Sequence, residues 1–215
     1  MKISFSSFVV LLILGGMISC KKDNFNYAKD TVGSSRITYF ATFNMAGDPY
    51  VSVVQGDTYT DAGATASQNG TDLPVTVTGE VDANTVGIYT LTYSATNSDG
   101  FPASVSRTIA VLPSAELPGV DISGSYYYIS TGANNSTVTK LAPGFYSTTN
   151  CWSSATTIPC LFICVDGQNI IMPNQPTGFG ELYGTGTLSS TGALTYLVTI
   201  ESQGIFGTAR KWHLK

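Results

Sequence analysis

Three observations predict an all-β fold in two domains. Residues 73–79 (LPVTVTG), 88–96 (IYTLTYSAT) and 105–112 (VSRTIAVL) alternate with period two, the pattern of a strand with one face in the core. Turn signals separate such runs at short intervals: Asn69-Gly70, Asp82-Ala83-Asn84 and Asp99-Gly100. Only 11% of the 215 residues are charged, well below the ~25% usual in soluble domains. Thr, Ser, Gly and Tyr supply the polarity, a palette suited to exposed pleated sheet. No helical periodicity follows the first twenty residues.

The N-terminus comes first in the chain and has a different logic. Lys2 precedes an apolar run over residues 8–14, and small residues lead from Gly15 to Ser19. Those are the three parts of an export signal, and the run is too short for a membrane span, which needs about 20 apolar residues. Met17-Ile18-Ser19-Cys20 resembles the bacterial lipobox. That resemblance implies removal of residues 1–19 and acylation of Cys20, with palmitate-type chains each contributing about 0.8 kcal/mol per buried CH₂. The Cys-Lys-Lys-Asp start is similar to lipoproteins of Bacteroidota, many of which reside in the outer membrane and on the cell surface. Residues 20–35 then read as the lipidated cysteine and a tether. Within it Asp30-Thr31-Val32 resembles the O-glycosylation sequon of those bacteria, which implies modification of Thr31.

From Arg36 the pattern is strand. RITYFATF (36–43) and YVSVV (50–54) are β-branched and aromatic runs bounded by Gly47-Asp48-Pro49 and Gly56-Asp57. Together with the alternating runs they predict a β-sandwich. GDTYTDAGATA, VGIYTLTYSATNSDG and RTIAVLP are similar to the immunoglobulin-like domain repeated in bacterial surface proteins and some insecticidal toxins. The likeness covers residues 37–113 and implies an N-terminal immunoglobulin-like domain over 36–113. It also implies that Tyr89, two residues after Gly87, packs between the sheets, and that Tyr59, Asp61 and Gly63 form an earlier turn. Asn97 stands where the family commonly has Asp. The resemblance implies a spacer or adhesion role without catalysis.

LPSAELPG carries two prolines and closes that domain near residues 113–119. A second all-β domain is predicted over 119–215. Its eight short runs, at 125–130, 136–140, 144–148, 160–165, 169–172, 182–188, 193–200 and 208–214, are joined mostly by Gly, Asn or Asp. Sequential strands with short turns favour an antiparallel meander, either a small barrel or a curled sheet. Gly124-Ser-Tyr and Lys211-Trp212 resemble the first and last strands of lipocalin-like barrels, an analogy of fold alone. The whole layout resembles accessory surface lipoproteins of Bacteroidota nutrient-uptake loci. This implies an outer-membrane location beside a TonB-dependent transporter and its lid lipoprotein.

Chemistry is sparse. A net charge of −4 excludes a basic surface for nucleic acid. After Cys20, an odd number of cysteines remains: Cys151, Cys160 and Cys164. They allow at most one disulfide, Cys151 with Cys160 or Cys164, or they are all small apolar fillers. No metal and no cofactor are expected: the one histidine, His213, is near the end, and no paired CxxC or Asp-x-Asp-x-Asp run exists. Nucleophilic triads need a histidine, and a glycosidase needs two facing carboxylates, for which only Glu181 and Glu201 offer themselves. The expectation is a protein without catalysis.

Binding is the stronger class. Trp152 lies in the polar run 147–160 (STTNCWSSATTIPC) and Phe179 in the turn-rich run 173–181 (PNQPTGFGE). Loop aromatics present an apolar face to sugar C–H groups or a peptide side chain. Trp152, Tyr146, Phe179, Tyr183 and Asn174 are therefore the candidate ligand residues, with Asn150 and Gln175 as further amides. The ligand expected is a glycan or a peptide. The alternative is a structural or adhesion subunit of a surface assembly with no small ligand of its own.

Overall fold

The computed structural model describes residues 28, 29, 31, 32 and 35–215. The leader, Cys20 and Asp30 of the sequon lie outside the described residues. The chain divides into two units, Met1–Thr38 and Tyr39–Lys215. In the first, β1 (Thr31–Val32) pairs antiparallel with β2 (Ser35–Arg36). The Thr31 hydroxyl donates to the Ala28 carbonyl at 2.7 Å.

The second unit opens with a two-sheet sandwich. One sheet has the order β3 (Thr42–Met45), β5 (Ala64–Gln68), β6 (Thr71–Leu73). The other runs β4 (Tyr50–Val54), β9 (Pro102–Leu112), β8 (Gly87–Thr96), β7 (Thr76–Thr78), with β4 parallel to β9. Of the run at 36–43, Arg36 ends β2 and strand resumes only at Thr42. Ahead of it the Asn97 side-chain amide bonds the Tyr39 carbonyl at 2.8 Å, so a side chain takes the place of a ladder. Asn69-Gly70 makes the β5–β6 hairpin as predicted, with φ of +48° and +82°, the left-handed pair a tight hairpin demands.

Leu91, Tyr93 and Ile109 fill the space between the sheets, flanked by Phe43, Val53, Tyr59 and Tyr89. Tyr89 is at the edge of this core, its hydroxyl donating to the Thr85 carbonyl at 2.8 Å; of the two, Tyr93 is the one buried completely. Buried Arg107 forms an ion pair with Asp61 and donates to the carbonyls of Ala46 and, at 3.1 Å, Asp48. Asp61 also accepts from Tyr93 at 2.7 Å and Tyr59 at 3.1 Å. A buried cation is tolerable only when paired and hydrogen-bonded in this way.

The rest of the chain is a closed antiparallel barrel of β10 (Gly124–Tyr128), β11 (Ala133–Ala142), β12 (Phe145–Thr148), β13 (Cys160–Ile163), β14 (Asn169–Thr177), β15 (Gly180–Leu188), β16 (Ala193–Ile200) and β17 (Ile205–Leu214). Eight strands enclose a space that side chains alone can fill. Tyr126, Tyr146, Phe162, Met172, Tyr196 and Trp212 fill it. Closure runs through Tyr126↔Leu214 and Tyr128↔Trp212. A Cβ on Gly184 would sit 2.0 Å from the Leu197 carbonyl oxygen, so this residue must lack a side chain for β15 and β16 to pair. Between β13 and β14 the ladder holds only at Ile163↔Ile171. There the Gln175 amide bridges to the Leu161 backbone, accepting at 2.7 Å and donating at 2.8 Å. Gln175, a candidate amide for a ligand, is thus spent on the barrel wall.

Sandwich and barrel share a second core in which Ala110 and Leu112 meet Phe145 and Ile163. The connecting segment is fastened too. Glu116 accepts from Lys140 Nζ at 2.9 Å, from the Gly144 amide at 2.8 Å and from the Tyr146 hydroxyl at 3.2 Å. The proline-rich stretch read as a boundary is a clamp.

Candidate functional site

Strand direction alternates around a meander, so the loops fall into two sets. The β11–β12 turn carries Gly144, against which Leu112 of the sandwich packs, and marks one end of the barrel. The β12–β13, β14–β15 and β16–β17 connections all lie at the other end. That distal end holds three neighbouring depressions.

The first is the barrel mouth, a cavity of about 230 Å³ lined by Trp152, Thr156, Ile158, Phe179, Ile200, Gln203 and Ile205. Ile200 belongs to the barrel core and Ile158 comes from the long β12–β13 loop, which folds back as a plug. Asn150, fully buried, organises that loop: its Oδ1 accepts from the amides of Trp152 at 2.9 Å and Ile158 at 3.2 Å, and its Nδ2 donates to the Ser153 carbonyl at 2.7 Å. This is an Asx-type turn closed on both sides. Trp152 is half-buried, and the Arg210 guanidinium lies 3.5 Å from the centroid of its ring.

The second depression, about 450 Å³, lies between Thr157–Pro159 and Pro176–Phe179, with Ile158 and Phe179 shared with the mouth. The third, about 600 Å³, is lined by Asn174, Glu181, Tyr183, Glu201 and Ser202. The Tyr183 hydroxyl donates to Glu201 at 2.6 Å, and this bond to a carboxylate pushes the phenol's pKa up. A short 3₁₀ turn over Glu201–Gln203 separates the third depression from the mouth. It is tied to the opposite hairpin by Ser202 and Gln203, which donate to the Phe179 carbonyl at 2.8 and 3.1 Å.

Four of the candidate ligand residues, Trp152, Phe179, Tyr183 and Asn174, thus meet at one end of the barrel. Phe179 is 42% and Tyr183 38% exposed. Tyr146 is a correction: it is fully buried, stacked on Phe162 at 5.6 Å with its hydroxyl on Glu116, because its strand turns that side chain into the barrel. It reaches no ligand surface. Asn150 builds the loop instead of facing a ligand.

Of the two readings of the cysteines, the structure has the apolar fillers and not the disulfide: Cys151, Cys160 and Cys164 are free and buried. Burial pushes the Cys164 thiol up to about 11. Burial, reinforced by a hydrogen bond to Cys151, pushes Cys160 well above its ordinary value. His213 stacks on Tyr127 at the opposite barrel end, 5.5 Å between ring centroids. Among the described residues no three His, Cys, Asp or Glu side chains gather as metal ligands would.

Sequence reasoning passed over Ile158, Ile200, Gln203, Ile205 and Arg210. Ile200 and Ile205 follow strand alternation and read as core, which they are; only closure makes them the floor of a mouth. Nothing in the sequence pairs Arg210 with Trp152.

No curated protein matches the chain. Among solved structures, a lipoprotein of Bacteroides thetaiotaomicron is 22% identical, with a TM-score of 0.39 over 81% of this chain and all of that one. A Clostridium perfringens protein containing an M60 catalytic domain and two CBM51 domains is 19% identical, with a TM-score of 0.32 over 75% of this chain and 14% of that one. Residues 43–111 match the family model described as bacterial surface protein, Ig-like domain.

Proposed function

We propose that this protein is a surface lipoprotein of the outer membrane. Anchored by acyl chains on Cys20, it captures a nutrient ligand without catalysis at the distal end of its barrel. The observation that carries the reading is the convergence of Trp152, Phe179, Tyr183 and Asn174 on adjoining depressions at the end opposite the sandwich. Partly exposed aromatic rings beside amides and carboxylates are the chemistry of an oriented, part-apolar ligand such as a glycan or a peptide. The surface assignment draws support from the immunoglobulin-like match and the lipobox-like leader. In this reading the sandwich is a spacer, its partner is a TonB-dependent transporter with a lid lipoprotein, and the clamp at Glu116 gives the pair of domains a fixed geometry.

The test is binding of the purified protein to a panel of glycans and short peptides, beside Trp152→Ala and Phe179→Ala. Saturable binding lost in both variants supports capture at the mouth. Binding untouched by either places the ligand elsewhere. For the anchor, Cys20→Ala is expected to abolish incorporation of labelled fatty acid, and retained label would reject lipidation there.

A further inference from the structure

The pocket beside Tyr183 differs from its neighbours in what it has left to offer a ligand. Its hydroxyl donors are already committed: Tyr183 to Glu201, and Ser202 to the Phe179 carbonyl. The nearby Gln203 amide is given to that same carbonyl. What remains facing the pocket is acceptor-rich: the Glu181 carboxylate, the second oxygen of Glu201 and the Asn174 amide. Neither glutamate belongs to the ion pairs found among the described residues, which join Arg107 to Asp61 and Lys140 to Glu116. Ser202 of this pocket and Gln203 of the mouth both bond the Phe179 carbonyl, so the pocket adjoins the apolar mouth that Phe179 and Trp152 line.

From this we infer that the distal site, if the proposed capture reading holds, selects a ligand carrying an ammonium group next to an apolar side chain. The ammonium sits between Glu181 and Glu201 over the Tyr183 ring, and the apolar group sits in the mouth against Trp152 and Phe179. An ionised carboxylate only accepts hydrogen bonds, so an anionic ligand meets two negative charges with the Asn174 side-chain amide as the one uncommitted side-chain donor. A neutral polyol can donate, but an ammonium adds Coulombic attraction to each bond and a cation–π contact with Tyr183. The amine can be a lysine side chain or the N-terminus of a peptide.

The experiment is calorimetric titration of the full-length protein in detergent with the C-terminally amidated dipeptide Lys-Phe and its Nα-acetyl, Nε-acetyl and doubly acetylated forms, with a neutral glucose oligomer alongside. Double acetylation is expected to abolish binding, and the singly acetylated forms identify which amine is held. Glu181→Gln and Glu201→Gln, both at exposed positions, are each expected to weaken Lys-Phe by about tenfold, as loss of one charge-assisted contact would. Added salt should weaken it as well. Binding indifferent to acetylation and to both glutamines overturns the amine assignment. So does failure of Lys-Phe to bind, or preference for the glucose oligomer. Where such binding is still lost in Trp152→Ala, the capture reading survives and only the ligand class falls; where Trp152→Ala also leaves it intact, both fall.

Discussion

Arg210 and Trp152 come from opposite parts of the barrel sequence, yet the guanidinium lies 3.5 Å from the centroid of the indole ring. One face of the tryptophan is thereby covered, and the loop that carries it is fastened to β17. A partly desolvated contact of this kind contributes on the order of 1–2 kcal/mol.

Removing that cover should loosen the plug without unfolding the barrel. Arg210→Ala is expected to increase acrylamide quenching of Trp152 and lower the melting temperature by a few degrees, with Arg210→Lys intermediate because it keeps charge but loses planarity. Fully buried Trp212 provides the unquenched reference within the same molecule. Unchanged quenching in Arg210→Ala would show that the loop's hydrogen bonds, those of Asn150 and Asn135 among them, hold it without Arg210.

The buried pair in the sandwich predicts a larger cost. Asp61→Ala leaves the Arg107 guanidinium, 2% exposed in its side chain, without a countercharge. Such a loss costs about 3–5 kcal/mol, to be read by urea denaturation. A loss below about 1 kcal/mol would mean that water or the Ala46 and Asp48 carbonyls suffice.

The same carboxyl sets an acid limit. Burial alone would raise the pKa of Asp61, but hydrogen bonds from Tyr93, Arg107 and Tyr59 outweigh it and hold the value below the ordinary one. A group with a lowered folded pKa contributes stability that is present above its unfolded pKa, about 3.9, and is lost as pH falls through the folded value. The sandwich should therefore keep this contribution down to about pH 4 and lose it below. In Asp61→Asn that part of the acid slope should be missing. An identical slope in variant and parent would assign acid unfolding to other carboxyls.

Glu116 links the two domains, so its removal should show in cooperativity. Glu116→Ala deprives Lys140, the Gly144 amide and the Tyr146 hydroxyl of one acceptor each, a loss on the order of 1–3 kcal/mol. Scanning calorimetry is expected to resolve two transitions where the parent shows one. A single transition in the variant would mean that the apolar contact of Leu112 with Phe145 and Ile163 couples the domains unaided.

The three barrel thiols should be silent in the native protein. All three are buried away from reagent, and for Cys160 and Cys164 burial also suppresses the thiolate, which is the reactive form. Cys151, Cys160 and Cys164 are therefore expected to resist alkylation until denaturant unfolds the barrel, with mass spectrometry counting the adducts. Rapid labelling of Cys164 under native conditions would show that its strand end opens locally.

Much of the architecture was readable. Period-two alternation marked strands wherever one face is buried, and Asn69-Gly70 announced its hairpin through the positive φ such a turn needs. The run at 36–43 misled because β propensity cannot tell whether a partner strand is present. Tyr146 misled for a related reason: with four residues in β12, alternation leaves its face undetermined until the neighbouring strands are placed. The site residues on loops were readable as types, since a tryptophan in a polar loop stands out, but not as a set.

By itself the sequence determined the strand class and the eight-run meander, because these follow from local periodicity and composition. Tertiary structure decided that the meander closes and that the linker is clamped by Glu116. It also decided that Tyr146 points inward, and that residues from three separate connections meet at one end. Each of those depends on pairing between segments far apart in the chain, and no local pattern carries the free energy of a contact with a distant partner.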